Sequence, residues 1–247
     1  MMRMFFVLAL VITMRQGQAQ SETSGNEWDP SDPTVQGDES VANFNSGFGA
    51  QPKNKNSAKV NGVKLHRPSL GGNGCPEGTV GVAISPDNKI LSVIFDNYVV
   101  QAGRSTGKKR DVKTCSVRMP LEVPAGFQFT VVKLDYRGYN SIPNNKGRTS
   151  YLAIYSFLDA ATGKQVGRRI RRQKTFRGPL DEEYILSSDI SAEPVWSRCG
   201  KSMNFQINTR AMAISNGKNE DVMGTIDSLD ASVDSKVEYH LLWQACK

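Results

Sequence analysis

Six basic side chains fall within ten residues: Arg168, Arg169, Arg171, Arg172, Lys174 and Arg177. A second cluster precedes them, at Arg104, Lys108, Lys109, Arg110 and Lys113. Guanidinium and ammonium groups at this density bind anions through charge-assisted hydrogen bonds. Residues 104–177 carry seventeen bases and four acids, whereas residues 178–247 carry six bases and eleven acids. Charge is therefore polarised along the chain. If the two basic segments meet in space they form a patch for a polyanion. The plainer alternative is that the bases protect a sheet edge and keep the protein soluble. Nucleic acid is disfavoured as the partner, because no aromatic stacking platform accompanies the bases. Acidic polysaccharide, lipopolysaccharide or an anionic cell surface is the expected target.

Other chemistry finds less support. Nucleophilic catalysis needs a base beside Ser or Cys, and the only histidines are His66 and His240. Paired carboxylates hydrolyse glycosidic bonds when set about 5–10 Å apart. Asp96 and Asp135, beside Phe95 and Tyr136, are the acids whose flanking patterns place them on strands. They define a rival reading, a carboxylate-based polysaccharide hydrolase with Tyr98 and Tyr136 near the site. Glu27 and Asp29 lie in a polar tail, and Asp181-Glu182-Glu183 reads as a turn. The acids of Asn219-Glu220-Asp221 and Asp227–Asp234 match no calcium-loop spacing. No two cysteines have zinc-site spacing. Gly71-Gly72-Asn73-Gly74 precedes no helix, so it is a turn and not a phosphate cradle. No catalytic residue, metal or cofactor is assigned.

These side chains need a scaffold, and the pattern beyond residue 73 supplies one. Apolar residues alternate with period two in short runs separated by Gly, Pro, Asn and Asp. Val80, Val82 and Ile84 form one such set, followed by the turn Ser85-Pro86-Asp87-Asn88. Leu91, Val93 and Phe95 follow, then Cys115, Val117, Met119, Leu121 and Val123, then Phe127, Phe129 and Val131. Tyr151, Ala153, Tyr155 and Phe157 continue the series, and Met203, Phe205 and Ile207 lie near the end. Val237, Tyr239, Leu241, Trp243 and Ala245 close it. This predicts an all-β, antiparallel β-sandwich of jelly-roll-like type. The arginine-rich run, basic on both faces, is expected at an edge strand or in an exposed loop.

The chain divides into three parts. Residues 1–19 carry Arg3, an apolar run from Met4 to Met14 and small residues at Gly17 and Ala19, the pattern of a cleaved signal peptide. The apolar run is too short for a membrane span, and no other stretch is long enough. Residues 20–72 read as a disordered tail, first acidic and then basic, with too little apolar content to offset ordering entropy. Residues 73–247 are the β-domain. The protein is expected to be secreted, with the periplasm or cell surface as alternative destinations.

Export lets disulfides persist, and four cysteines are present: Cys75, Cys115, Cys199 and Cys246. Cys199 precedes one strand and Cys246 ends the last. If those strands pair antiparallel, a Cys199–Cys246 bridge closes a long hairpin. Cys75 and Cys115 fall at the starts of the first and third strands, on one side of an up-down-up sheet. This pairing is preferred over the two crossed alternatives.

An ordered set of motifs completes the reading. It comprises Cys75-Pro76-Glu77-Gly78-Thr79, Ser85-Pro86-Asp87, Phe95-Asp96-Asn97-Tyr98, Cys115 and Pro124-Ala125-Gly126-Phe127-Gln128-Phe129. It continues with Leu134-Asp135-Tyr136-Arg137-Gly138-Tyr139, Phe176-Arg177-Gly178-Pro179, Trp196-Ser197-Arg198-Cys199-Gly200 and Trp243-Gln244-Ala245-Cys246. Together they resemble a family of small secreted proteins catalogued as domain of unknown function 4360, found in fungi and bacteria. The resemblance spans 75–247 and implies an exported β-rich domain with these four cysteines. It implies no catalytic or ligand residues. From the residues, the leading expectation is a non-enzymatic binding or surface protein attached to an anionic polymer. A structural coat or matrix protein, self-associating through its oppositely charged halves, is a third reading.

Overall fold

A computed structural model describes residues 57–246 apart from 193, 217–219 and 228–235. The expected signal peptide, the acidic stretch and most of the Asp227–Asp234 segment lie outside the described residues. Thirteen strands follow one another: β1 (Lys64–Leu65), β2 (Ser69–Gly71), β3 (Val80–Ile84), β4 (Ile90–Phe95), β5 (Val99–Ala102), β6 (Arg110–Glu122), β7 (Phe127–Ile142), β8 (Arg148–Asp159), β9 (Gln165–Arg177), β10 (Leu180–Asp189), β11 (Met203–Ile214), β12 (Val222–Thr225) and β13 (Val237–Ala245).

They form two antiparallel sheets, the sandwich expected from the period-two pattern. The first runs β6-β11-β8-β9, with β1 and β2 on the free side of β6. The second runs β3-β4-β13-β7-β12-β5, with β10 on the other side of β7. Inward residues of the two sheets meet in an aromatic core. Phe129 packs on Phe157 at 5.1 Å between ring centroids, Phe205 on Tyr239 at 5.3 Å, and Tyr151 on Tyr184 at 5.0 Å. Each pair joins one sheet to the other and buries large area. The core hydroxyls are mostly paired, as burial requires. Tyr136 and Tyr239 share a 2.6 Å bond, and Asn140 Oδ1 accepts from Thr149 at 2.6 Å and Tyr151 at 2.7 Å.

The disulfides join Cys75 to Cys115 and Cys199 to Cys246, the preferred pairing. The strand geometry behind them differs from expectation. β11 and β13 belong to different sheets, so Cys199–Cys246 closes no hairpin. Cys199 and Cys246 instead lie beside the turn before β7, where Gly200 N–H donates to Phe127 O and Cys246 N–H to Gly126 O. Likewise β3 and β6 lie in different sheets. Cys75 reaches Cys115 because β2 runs along β6, with Gly71 opposite Ser116, and Gly74 N–H then donates to Thr114 O. Gly72 sits at φ +102° with Thr114 O where a Cβ would stand, at 2.3 Å. Only glycine passes there.

Two further differences concern boundaries. Residues 57–72, assigned from composition to the tail, lie on the sandwich: Val60 is buried, and Lys64–Leu65 pairs with β6. Polarity was misleading because a short edge strand buries only alternate residues. Asp181, Glu182 and Glu183 open β10 opposite Ser141, Asn140 and Tyr139, and are not in a turn. Their charge is tolerated because all three are exposed.

Candidate anion-binding face

The first sheet has an inner face, which carries Cys115, Tyr151, Tyr155, Phe157, Phe205 and Ile207 of the core, and an outer face. Register fixes what stands on the outer face. Arg110, Ile214, Arg148 and Arg177 form one row across the four long strands, and Val112, Met212, Ser150 and Thr175 the next. Thr114, Arg210, Leu152 and Gln173 follow, then Ser116, Asn208, Ile154 and Arg171. Arg118, Gln206 and Ser156 continue the pattern. Six arginines occupy these rows: Arg110, Arg118, Arg148, Arg171, Arg177 and Arg210. Among the described outward positions of the four strands the only acid is Glu122, at the far end of β6, where Lys64 and His66 hold it.

The arginines stand on an organised surface. Arg118 donates through Nε and Nη2 to Gln206 Oε1 at 3.3 and 3.2 Å, and Gln206 Nε2 reaches Asn208 Oδ1 at 3.3 Å. Arg171 Nη2 donates to Gln173 at 2.5 Å. Thr175 bonds Ser150 at 3.2 Å. Leu152 and Ile154 are 3% and 5% exposed, yet neither belongs to the core cluster. By register they stand between Arg210 and Asn208 of β11 and Gln173 and Arg171 of β9, long side chains of the kind that can shield apolar surface with their aliphatic stems. Burial, together with the charges of Arg110 and Arg171, pushes the Arg210 guanidinium below its ordinary value.

The predicted basic residues divide among four places. Arg110, Arg171 and Arg177 share the outer face. Arg104, Lys108 and Lys109 lie exposed on the loop leading into β6, where Lys108 pairs with Asp111 at 3.3 Å. Arg172, Lys174 and Lys113 take inward register positions. Arg172 Nε donates to Ser188 of β10 at 2.7 Å, and the Lys174 ammonium sits over Phe176 at 5.8 Å. Arg168 and Arg169 occupy the irregular part of β9, with Arg169 on Gln165 at 2.7 Å. As expected, β9 is an edge strand. Sequence reasoning missed Arg118, Arg148 and Arg210, which are isolated bases along the chain. Only register makes them neighbours of the two clusters.

The rival carboxylate site is not assembled. Tyr98 and Tyr136 are core residues. Asp96 lies in the exposed turn after β4. Asp135 sits on the outward face of the second sheet, where it accepts from His240 Nε2 at 2.8 Å, Ser187 Oγ at 2.5 Å and Lys133 Nζ at 2.9 Å. Burial alone would raise its pKa, but these donors outweigh burial and bring it down to about 2. A carboxylate held there is always ionised near neutral pH and has no proton to give a leaving group. Asp135, Glu238 and His240 present ligand atoms within 4.8 Å of one another. That donor set fits a divalent metal by type. However, Lys133 already neutralises Asp135, and Lys236 lies 3.1 Å from Glu238, so the cluster is balanced by its own lysines. A groove of about 460 Å³ between residues 67–70 and β3 is floored by Leu70, Val80 and Val82, with the exposed Arg67–Glu77 pair at its rim.

Fold and surface together define a disulfide-tied antiparallel β-sandwich with one arginine-lined face. The chain belongs to the family described as a domain of unknown function, DUF4360, whose pattern matches residues 61–246. A relative from Arthroderma benhamiae, described as an uncharacterized secreted protein, is 36% identical over 179 residues, covering 72% of this chain and 69% of its own. With two disulfides and no free cysteine among the described residues, this identifies a secreted protein. Among the described residues no helix is long and apolar enough to cross a membrane. Among solved structures, TmCBM61 in complex with β-1,4-galactotriose aligns at a TM-score of 0.27 and 11% identity, over 72% of this chain and 88% of that one. The CBM22-1–GH10 modules of endo-1,4-β-D-xylanase 10B from Clostridium thermocellum, complexed with xylohexaose, align at 0.25 and 10% identity, over 75% of this chain and 28% of that one. Superpositions this partial carry nothing about ligand.

Proposed function

We propose that this secreted protein is a non-enzymatic binding protein that attaches to an anionic polysaccharide of a cell envelope or matrix through the outer face of its first sheet. One observation carries the reading: six arginines from four strands share that face, and the only acid at the described outward positions of those strands is Glu122 at the far end of β6, already held by Lys64 and His66. A solubilising surface mixes both signs of charge, whereas a one-signed field attracts and holds a polyanion. The aromatic residues support an anionic over a neutral glycan. Among the described residues the only large exposed hydrophobic is Ile94, and the rings nearest the surface, Tyr139 and Trp196 among them, are half-buried, so no fully exposed ring offers a sugar a stacking surface.

The test is retention of the purified protein on heparin, polygalacturonate and neutral glucan columns across a salt series. Binding to the acidic polymers should fall steeply with salt. It should also fall on Arg110→Ala/Arg171→Ala/Arg177→Ala substitution, with the neutral polymer unretained throughout. Salt-independent retention, or retention indifferent to the triple variant, overturns the reading.

A further inference from the structure

We propose that β3 is a strand-addition edge through which two copies of this chain pair, antiparallel about a two-fold axis at Val82, into one continuous sheet.

β3 ends the second sheet and pairs only with β4. Ser85 N–H donates to Ile90 O and Asp96 N–H to Thr79 O, which fixes the phase of that ladder. Residues 79, 81, 83 and 85 therefore turn their backbone groups toward β4, and Val80, Val82 and Ile84 turn theirs away. Among the described residues nothing bonds to the N–H and C=O groups of those three.

The other sheet edges are guarded. β9 carries its arginines and lysine, and β10 opens with Asp181, Glu182 and Glu183. β1 and β2 are two and three residues long, with Pro68 between them. β5 is covered by Asp111, whose carboxylate accepts from Gln101 N–H at 3.1 Å, and by the Gly103–Lys108 bridge. Charge, proline, shortness and cover are the devices that keep edges from pairing. β3, Val-Gly-Val-Ala-Ile, has neither charge nor proline. Its flanks are apolar as well. On the outer side Gly81 and Ala83 are exposed beside Ile94, itself 41% exposed. On the inner side lies the groove of about 460 Å³ over Leu70, Val80 and Val82, with room for the side chains of an added strand.

The edge selects a second copy as that strand. Branched residues at 80, 82 and 84 alternate with small ones at 81 and 83, an order that is the same in both directions. Antiparallel pairing centred on Val82 sets it opposite the partner's Val82, Val80 opposite the partner's Ile84, and Gly81 opposite the partner's Ala83. The free backbone groups of both copies then meet in about six hydrogen bonds. Charge points the same way. Copies of a chain with formal net charge +7 repel, and this neutral edge is where they approach at least cost. The paired edge is small, on the order of 1,000 Å² or less, so the dimer belongs to the weak class. Its axis stands perpendicular to the sheet, so both arginine faces point to the same side. Under the function proposed above, one polymer would meet two of them.

The experiment is sedimentation equilibrium of the intact secreted protein from about 2 to 200 μM, at about 0.05 and 0.5 M salt. Hydrogen exchange of residues 80–84 is followed at both ends of the concentration series. The expected result is a monomer–dimer equilibrium that salt does not weaken, with the Val80, Val82 and Ile84 amides exchanging more slowly in the dimer. Ala83→Lys, at an exposed position, sets like charges across the axis and should weaken the dimer by about tenfold or more. Val82→Pro removes an N–H that β4 does not use and should do the same. If one variant loses its cooperative thermal transition, the other is the test. A monomer at every concentration overturns the proposal and leaves the edge to a foreign strand or to solvent. A dimer indifferent to both variants, one that dissolves in salt, or association that grows past the dimer also overturns it. None of these readouts involves polysaccharide, so failure here leaves the proposed function standing.

Discussion

Arg171 and Arg210 flank β8 from opposite sides, Arg171 opposite Ile154 and Arg210 opposite Leu152. The two aliphatic residues are buried although they face away from the core. The two arginines stand beside them by register, and the charge of Arg171 bears unfavourably on the Arg210 guanidinium. Replacing either arginine by methionine keeps an unbranched stem and removes the charge. Arg210→Met should raise stability by about 0.5–1 kcal/mol and weaken polyanion binding, a trade of stability against function. Urea unfolding at low ionic strength checks the first effect, because salt would mask it.

The two disulfides close loops of similar length, with sequence separations of 40 and 47. On loop entropy alone each contributes about 4 kcal/mol. Cys75→Ala/Cys115→Ala and Cys199→Ala/Cys246→Ala should therefore cost nearly the same in denaturant unfolding. Non-reducing peptide mapping should return these two pairs and no crossed species.

The Asp135 network gives the protein an acid limit. Its carboxyl lies at about 2 in the folded state against an ordinary 3.8. Its folded pKa is depressed, so its contribution is fully present above about pH 4 and is lost as pH falls through about 2. For a side chain still partly reached by water, the loss is about 1–2 kcal/mol. Asp135→Asn should lower stability at pH 7 and flatten the pH dependence between pH 4 and 2, measured as the urea midpoint at each pH.

Gly72 makes the Cys75–Cys115 link geometrically feasible. A Cβ there would meet Thr114 O at 2.3 Å from a backbone already at φ +102°. Gly72→Ala should cost about 2 kcal/mol or more. Gly78, at φ +88° with no atom within 4 Å, should lose less on the same change. The difference in thermal midpoint between the two variants reads the close approach separately from the strain.

Alternation made the long strands legible. Cys115-Val117-Met119-Leu121 and Tyr151-Ala153-Tyr155-Phe157 announce one buried face each, and the structure buries those residues. The charge load of Arg168–Arg177 similarly marked β9 as an edge, because no interior strand can bury bases on both faces. Sheet membership was not legible. Nothing local distinguishes β11 from β13 or β3 from β6 by sheet, so the two bridges form as expected while the hairpin expected behind Cys199–Cys246 and the up-down-up sheet expected behind Cys75–Cys115 do not. The arginine face was half visible for the same reason. Arg110 and Arg171 belong to runs, but Arg148 and Arg210 stand alone in the chain and become neighbours only through long-range register. Asp135, Glu238 and His240 needed that same register to meet.

Strand alternation also splits the arginine run in a testable way. Arg171 and Arg177 take outward positions, whereas Arg172 and Lys174 take inward ones, with Arg172 bonded to Ser188 of the opposite sheet. A diffuse basic edge would be weakened equally by losing any two of these charges. A binding face on the first sheet would not. Arg171→Ala/Arg177→Ala should reduce the slope of log affinity against log salt by about two, one for each lost contact. Arg172→Ala/Lys174→Ala removes the same net charge and should leave the slope within about half a unit of wild type. Its cost should appear as lower stability, from the broken Arg172–Ser188 bond. Measuring both double variants on one acidic polymer separates position from charge: equal slopes would mean that the whole edge acts as a diffuse cation, and unequal slopes that the outward register positions do the binding.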